Sequence, residues 1–162
     1  MQDQSPKRKR YKTISVVMVY LIKDSKVLLQ RRQNTGFSDG MWDSSASGHV
    51  EEGETMKEAA IRELSEEVGV TANDLAFMGL VHHLGEDDGL PRYLGAFRVT
   101  KHNGKPHICE PKKCSDLKWF NINNLPDNII ESRRLILESL RSGSSELYFE
   151  CGWPAQRKQP AS

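Results

Sequence analysis

Between Gly48 and Val70 the chain stacks acids along a segment that must also bury one of its sides: Gly48, then Glu54, then Arg62-Glu63-Leu64-Ser65-Glu66-Glu67-Val68-Gly69-Val70. Thr55 with Glu58 three residues later makes a capping box, and Gly69 supplies a stop, so the spacing predicts a helix over 54–68. On a 100° wheel Ala60, Ile61, Leu64 and Val68 form the side that packs on a sheet. Glu63, Glu66 and Glu67 fall beside it, within an arc of about 100°. Like charges at i+3 and i+4 each destabilise an isolated helix by about 0.2–0.5 kcal/mol, and Arg62 offsets only one such pair by reaching Glu66. A hard divalent cation removes the repulsion, since Mg²⁺ takes carboxylate and water oxygens and bridges to phosphates. A solvated acidic face would leave the Gly48, Glu54, Arg62 and Gly69 spacings unexplained.

The flanking patterns place this helix in a sheet protein. Residues 14–22 are almost continuously apolar and β-branched, as in a strand buried on both faces. Lys23-Asp24-Ser25 breaks the run, and a second strand over 26–32 completes a hairpin. A loop follows over 33–40, with Asn34, Gly36, Asp39 and Gly40, and Trp42 starts a short extended piece leading to the Gly48 turn. Further strands are predicted over 75–83, 92–100 and 116–122, and a closing helix runs from Pro126-Asp127 to about residue 140. Strands around one central helix, with a second helix to close, make an α/β sandwich with a mixed sheet.

At 162 residues the chain suits one domain. The predicted organisation is a basic flexible leader over 1–12, a packed domain over 13–145 and a flexible tail over 146–162. The leader carries Lys7, Arg8, Lys9, Arg10 and Lys12 against Asp3, so with a net charge of +1 the remainder is mildly acidic. Such a body argues against a nucleic-acid partner, although a basic arm for phosphate or a nuclear address is the alternative reading of the leader. No apolar run is long enough for a membrane span and no secretory signal opens the chain, which predicts a cytoplasmic protein. Cys109, Cys114 and Cys151 lack disulfide or zinc spacing and are expected to be reduced thiols.

The Gly48–Val70 stretch resembles, position for position, the signature of the Nudix hydrolases. The likeness extends to Leu28-Leu29-Gln30-Arg31-Arg32, to Asn34-Thr35-Gly36-Phe37 with Asp39-Gly40 and Trp42, and to Glu110-Pro111, Cys114, Leu117, Trp119-Phe120 and Leu125-Pro126. This pattern, covering roughly residues 14–140, is similar to a MutT-like bacterial branch. The resemblance implies a Nudix-type α/β/α sandwich with a central mixed sheet, and hydrolysis of a nucleoside diphosphate linked to another group. It implies Mg²⁺, with Mn²⁺ as the alternative, on Glu63, Glu66, Glu67 and the Gly48 carbonyl. Arg62 and Glu54 then form the ion pair that orients the helix, and either Glu67 or Glu110 is the general base.

The small-molecule nucleotide substrate is expected to meet Arg31, Arg32, Phe37 and Trp119. Adjacent strand residues face opposite ways, so at most one of the two arginines points at it, a surface ion pair being the alternative for either. Trp42 is a further stacking candidate, core packing is the better reading of Trp119, and His82-His83 is read as a hydrogen-bonded strand-end pair in preference to a phosphate or base contact. His49 is read as packing near the glycine turn. Two departures stand out: Asp43-Ser44-Ser45-Ala46-Ser47 precedes Gly48 where many relatives place a proline, and Glu86 stands sixteen residues after the box where some ADP-ribose-cleaving relatives have one. The favoured substrate is a (deoxy)nucleoside triphosphate or modified nucleotide. The alternatives are ADP-ribose or a dinucleotide, an RNA 5′ end, or a non-catalytic nucleotide sensor, acting as a monomer or homodimer.

Overall fold

The computed structural model describes residues 10–154; most of the basic leader and the last eight residues of the tail lie outside them. In chain order the elements are β1 (Ile14–Lys23), β2 (Lys26–Arg32), β3 (Trp42–Asp43), β4 (Ala46–His49), α1 (Met56–Val68), β5 (Thr71–Ala72), β6 (Ala76–Leu84), β7 (Pro91–Val99), β8 (His102–Asn103), β9 (Cys114–Asn121), α2 (Glu131–Ser142) and β10 (Tyr148–Cys151).

β1 organises the rest. It runs parallel to β7 on one edge, and on the other pairs antiparallel with β4 over Val16–Val19 and with β2 at its far end. The β1–β2 turn is made by Asp24 and Ser25, both at positive φ, the conformation of a tight two-residue hairpin. Between the two pairings on that edge, the Ser45 hydroxyl accepts from the Leu21 N–H at 2.9 Å and donates to the Leu28 carbonyl at 2.6 Å. This stitch explains why a serine-rich segment suits the approach to Gly48. β10, β6 and β7 complete one side of the sheet, β9 pairs with β2, and the ladders are both parallel and antiparallel.

Alternation along β1 splits the core in two. Val17, Val19 and Leu21 pack with Ala59, Ala60, Leu64 and Val68 of α1, whereas Val16, Met18 and Tyr20 pack with Ile136 and Leu137 of α2. The mixed sheet with a helix on each face is the α/β/α sandwich expected.

Three expectations need correcting. Ile61 is 40% exposed, and Ala59 takes its place in the buried stripe of α1. The second helix begins at Glu131, because residues 126–130 spend their backbone groups on the sheet: Trp42 donates to the Asn128 carbonyl and Ile130 donates to the Trp42 carbonyl, both at 3.0 Å. The region read as a tail from 146 contains β10, whose residues pair with Leu80 to His83 of β6. Leu147 anchors its start through the Leu80 N–H.

A buried ion cluster ties α2 to the sheet. Asp43 is fully buried and takes Arg133 at 2.6 Å and Arg32 at 2.7 Å. Burial alone would raise its pKa, but Arg133 and then Arg32 overcome this and hold it at about 2. Replacing Asp43 with Asn strands the Arg133 charge and is expected to cost about 3–5 kcal/mol in urea unfolding. The folded value lies below the ordinary 3.8, so the stabilisation is full above about pH 4 and is lost as pH falls towards 2. The Asn variant should lack that part of the acid slope, and an unchanged slope would contradict the assignment.

Candidate active site

The structure builds the acidic helix as the spacing predicts. The Thr55 side chain accepts from the Glu58 N–H, the Glu58 carboxylate accepts from the Thr55 N–H, and Gly69 ends the helix at φ 70°. Pairing of β4 with β1 sets Gly48 opposite Val17, beside the acidic face of α1. A Cβ on Gly48 would run into the Glu63 carboxylate, so only glycine lets that acid lie against the β4 backbone.

Arg62 holds the acids in place. Its Nε and Nη2 donate to the two Glu54 oxygens at 2.8 and 3.0 Å, and Nη1 donates to Glu63 at 2.7 Å and to Glu66 at 3.2 Å. Nη2 also donates to the His49 carbonyl at 3.1 Å, fastening α1 to the end of β4. The Glu54–Arg62 pair expected from the resemblance is therefore present. Glu66 has 58% of its side chain exposed and Glu63 only 12%.

Glu67 is different. Its Oε2 accepts from the Ser47 N–H at 2.9 Å and from the Gln30 amide at 2.8 Å, which leaves Oε1 without a hydrogen-bond partner among the described residues. Burial pushes its carboxyl up to about 7 against the lowering by those two donors, with Asp43 and Glu63 adding to the rise.

A cleft of about 530 Å³ opens in front of Gly48 and Glu67, within the range of small-molecule sites. Arg32, Thr35 and Phe37 line it from the loop after β2, and Glu110 and Lys113 from the segment before β9. Arg32 donates to the Phe37 carbonyl at 2.8 Å and lies 5.3 Å from the centre of the Phe37 ring, so the loop is braced on the same guanidinium that pairs with Asp43. Glu110 pairs with Lys113 at 2.9 Å.

Other expected contacts are not made. Arg31 is exposed, bonds the Gly40 carbonyl and lies outside the cleft, the consequence of strand alternation that brings Arg32 in. Trp119 sits opposite Leu28 on β9 and packs against the core beneath α1, away from the cleft. Trp42 is buried edge-on against Phe120, with ring centres 4.7 Å apart. His82 bonds the Tyr148 hydroxyl region at 3.2 Å, but His83 lines the cleft.

Gln30, Arg133, Asp43 and His83 are cleft or supporting residues that the sequence did not assign to the site. Arg133 had a signal: it falls on the stripe of Ile130, Ile136, Leu137 and Leu140, where a lone charge must find a buried partner.

Among the described residues, no three His, Cys, Asp or Glu side chains converge as a ready cation cage. Arg62 stands between Glu63 and Glu66, and Glu67 is turned to β2 and β4. The donor set nonetheless suits a hard cation: clustered carboxylate oxygens, of which Glu63 Oε2, Glu66 Oε1 and Glu67 Oε1 have no hydrogen-bond partner among the described residues, beside a glycine whose missing Cβ makes the room.

A sandwich whose acidic helix faces a nucleotide-sized cleft is the class that fold and site define. The family model described as NUDIX domain matches residues 12–140. An oxidized purine nucleoside triphosphate hydrolase from Danio rerio is 30% identical over 113 residues, covering 68% of each chain. A NAD-capped RNA hydrolase NudC from Chromobacterium violaceum is 31% identical over 116 residues, 72% of this chain but only 41% of that protein's length. The crystal structure of a MutT NUDIX hydrolase from Burkholderia pseudomallei superposes with a TM-score of 0.73 at 24% identity, covering 78% of this chain and 97% of that one. The chain belongs to the Nudix family and is a hydrolase acting on pyrophosphate bonds. Members of this family generally use divalent metals.

Arg62→Lys keeps the charge but loses the planar fork that reaches Glu54, Glu63, Glu66 and His49 together. Divalent-cation affinity, followed by Mn²⁺ titration, should fall about 10–100-fold with helix content retained. Equal affinity in the variant would show that Arg62 does not organise the acids.

Proposed function

We propose that this chain is a Mg²⁺-dependent pyrophosphohydrolase of nucleoside triphosphates or modified nucleotides, acting in the cytoplasm. The observation that carries the reading is the sharing of one cleft by Gly48 and Glu67 of the acidic site with Arg32, Lys113 and the Phe37 ring. Cations on the wall suit a polyphosphate, and an aromatic ring suits the flat group attached to it. The activity named for the Danio rerio relative, on oxidized purine nucleoside triphosphates, points the same way. No helix among the described residues is long and apolar enough to cross a membrane, and the three cysteines are free thiols, as in a reducing compartment.

Glu63, Glu66, Glu67 and the Gly48 carbonyl would hold the cation. When bound, Mg²⁺ neutralises the diphosphate and lowers the pKa of a water. Glu67 would serve as an ionised ligand there, the cost of burying its charge being offset by the cation it holds. Of the cleft carboxylates outside the cation set, Glu110 lies on the segment fastened to the acidic helix, where the Cys109 N–H donates to the Glu67 carbonyl at 3.1 Å, whereas Glu86 and Asp87 follow β6 on the far wall; Glu110 takes the proton from the attacking water. The water oxygen bonds to phosphorus, the bridging P–O bond breaks, and pyrophosphate leaves from a nucleoside monophosphate. Arg32 and Lys113 offset charge on the bound phosphates, and Gln30 with the Ser47 N–H fixes Oε2 of Glu67 and leaves its Oε1 available to the cation.

A nucleotide panel with Mg²⁺, assayed for pyrophosphate release, tests this. Glu110→Gln should lower kcat by about 10²–10⁴-fold while leaving the Mg²⁺ requirement unchanged. Glu67→Gln should lower kcat and also raise the Mg²⁺ concentration needed for half activity. Full turnover in the Glu67 variant would refute the site.

A further inference from the structure

β6 ends in two histidines that face opposite ways. His82 is fully engaged: its ring stacks on Tyr93 at 4.6 Å and meets Trp153 at 4.6 Å, and Nδ1 lies 3.2 Å from the Tyr148 hydroxyl. His83 turns into the cleft instead, and neither of its ring nitrogens has a hydrogen-bond partner among the described residues. A polar side chain aimed into a binding cleft without a partner of its own is available to a ligand.

The registers locate it. Gly48 of β4 pairs with β1, β1 with β7, and β7 with β6, so His83 lies three strands across the sheet from the acidic site. At the usual strand spacing this is about 14 Å across the sheet, and because Gly48 aligns through Val17 and Gly95 with Leu80, His83 lies three residues further along it, about 18 Å away in all, a separation that side chains reaching in from both ends reduce to the length of a nucleotide.

The charges around His83 select among ligands. Arg92 is taken by Asp88, with contacts of 3.0 and 2.5 Å, and Arg133 is taken by Asp43. Glu86 and Asp87 line the same region and make no hydrogen bond or ion pair among the described residues. Arg92 is thus compensated, Arg133 is compensated only in part because Asp43 also serves Arg32, and the two unpaired carboxylates outnumber that residual charge, which disfavours a second phosphate there. Burial, reinforced by Arg133 and Arg92, lowers the pKa of His83 and keeps the imidazole neutral at pH 7, with one nitrogen donating and one accepting.

We infer that His83 is a specificity-determining residue that hydrogen-bonds the edge of a neutral nucleobase, with the nearby carboxylates favouring a base that carries an exocyclic amino group. This rests on the nucleotide reading of the cleft and names the part of the substrate that its far wall selects. Uracil and thymine offer a carbonyl where cytosine and adenine offer an amine, and a carbonyl facing Glu86 and Asp87 would leave acceptor against acceptor.

The test uses the full chain and non-hydrolysable α,β-methylene analogues of CTP, UTP, ATP and purine riboside triphosphate, titrated by calorimetry, alongside turnover of the natural triphosphates. The wild-type protein should bind the amino-bearing member of each pair about 10-fold more tightly. His83→Ala should raise Kd and KM for the amino-bearing nucleotides about 10-fold, with kcat within about 2-fold. His83→Asn, which retains a donor and an acceptor, should recover part of the loss, and His82→Asn should leave both constants unchanged.

Unchanged Kd and KM in His83→Ala would overturn the inference while leaving the hydrolase reading intact. Equal binding of CTP and UTP analogues would overturn the amino-group preference. A His83-dependent Kd without wild-type hydrolysis would support base recognition by His83 and count against the proposed reaction.

Discussion

Burial of β1 on both faces and along both edges is the constraint on which the rest depends. A strand reading Val-Val-Met-Val-Tyr-Leu cannot leave either face wet, so a helix must cover each side of the sheet. α1 and α2 meet that demand, with Val17, Val19 and Leu21 under one and Val16, Met18 and Tyr20 under the other. The active site inherits its position from this arrangement. β4 is short and ends at His49 after four residues paired with β1, and α1 must pack back over β1 within a few residues of that end. Gly48 and the acids of α1 are therefore brought together by core packing.

The site then handles excess negative charge in two ways. Arg62 spreads one guanidinium over Glu54, Glu63 and Glu66, and it anchors the helix to the His49 carbonyl. Glu67 has no cation partner among the described residues; two hydrogen bonds on one oxygen hold it, and burial raises its pKa to about 7. A carboxylate kept in that state is poised for a cation, because metal binding relieves the burial penalty that the two hydrogen bonds only partly offset. The Asp43 cluster shows the contrasting solution, in which two arginines compensate one fully buried acid and the result is mechanical: α2, β3 and the loop braced by Arg32 are joined at one point.

What was legible in the sequence follows from the range of the interactions involved. The capping box at Thr55 and Glu58 and the Gly69 stop lie within one helix and its lead, so spacing alone specified them, whereas the Glu54–Arg62 pair was expected only from the family resemblance. The β1–β2 hairpin was likewise local. The start of α2 was not, because Trp42 captures residues 128–130 from eighty-odd positions away, and no local signal marks that claim on the backbone. β10 was missed for the same reason: four residues gain strand character only from the β6 edge. Alternation showed that Arg31 and Arg32 diverge but not which faces the cleft, since that depends on the twist and neighbours of β2. Trp119 followed its apolar character into the core, whereas His83, beside a histidine that packs outward, reached the cleft through the parity of β6.

The central claim is that the acids of α1 and the Gly48 carbonyl form a divalent-cation site at the mouth of this cleft. A crystal soaked in Mn²⁺ and measured at the manganese absorption edge tests it most directly. An anomalous peak within bonding distance of the Glu63 and Glu67 carboxylates and the Gly48 carbonyl, with Arg62 retaining Glu54, is the predicted result. A peak seated elsewhere in the cleft, or none at saturating Mn²⁺, would contradict the account.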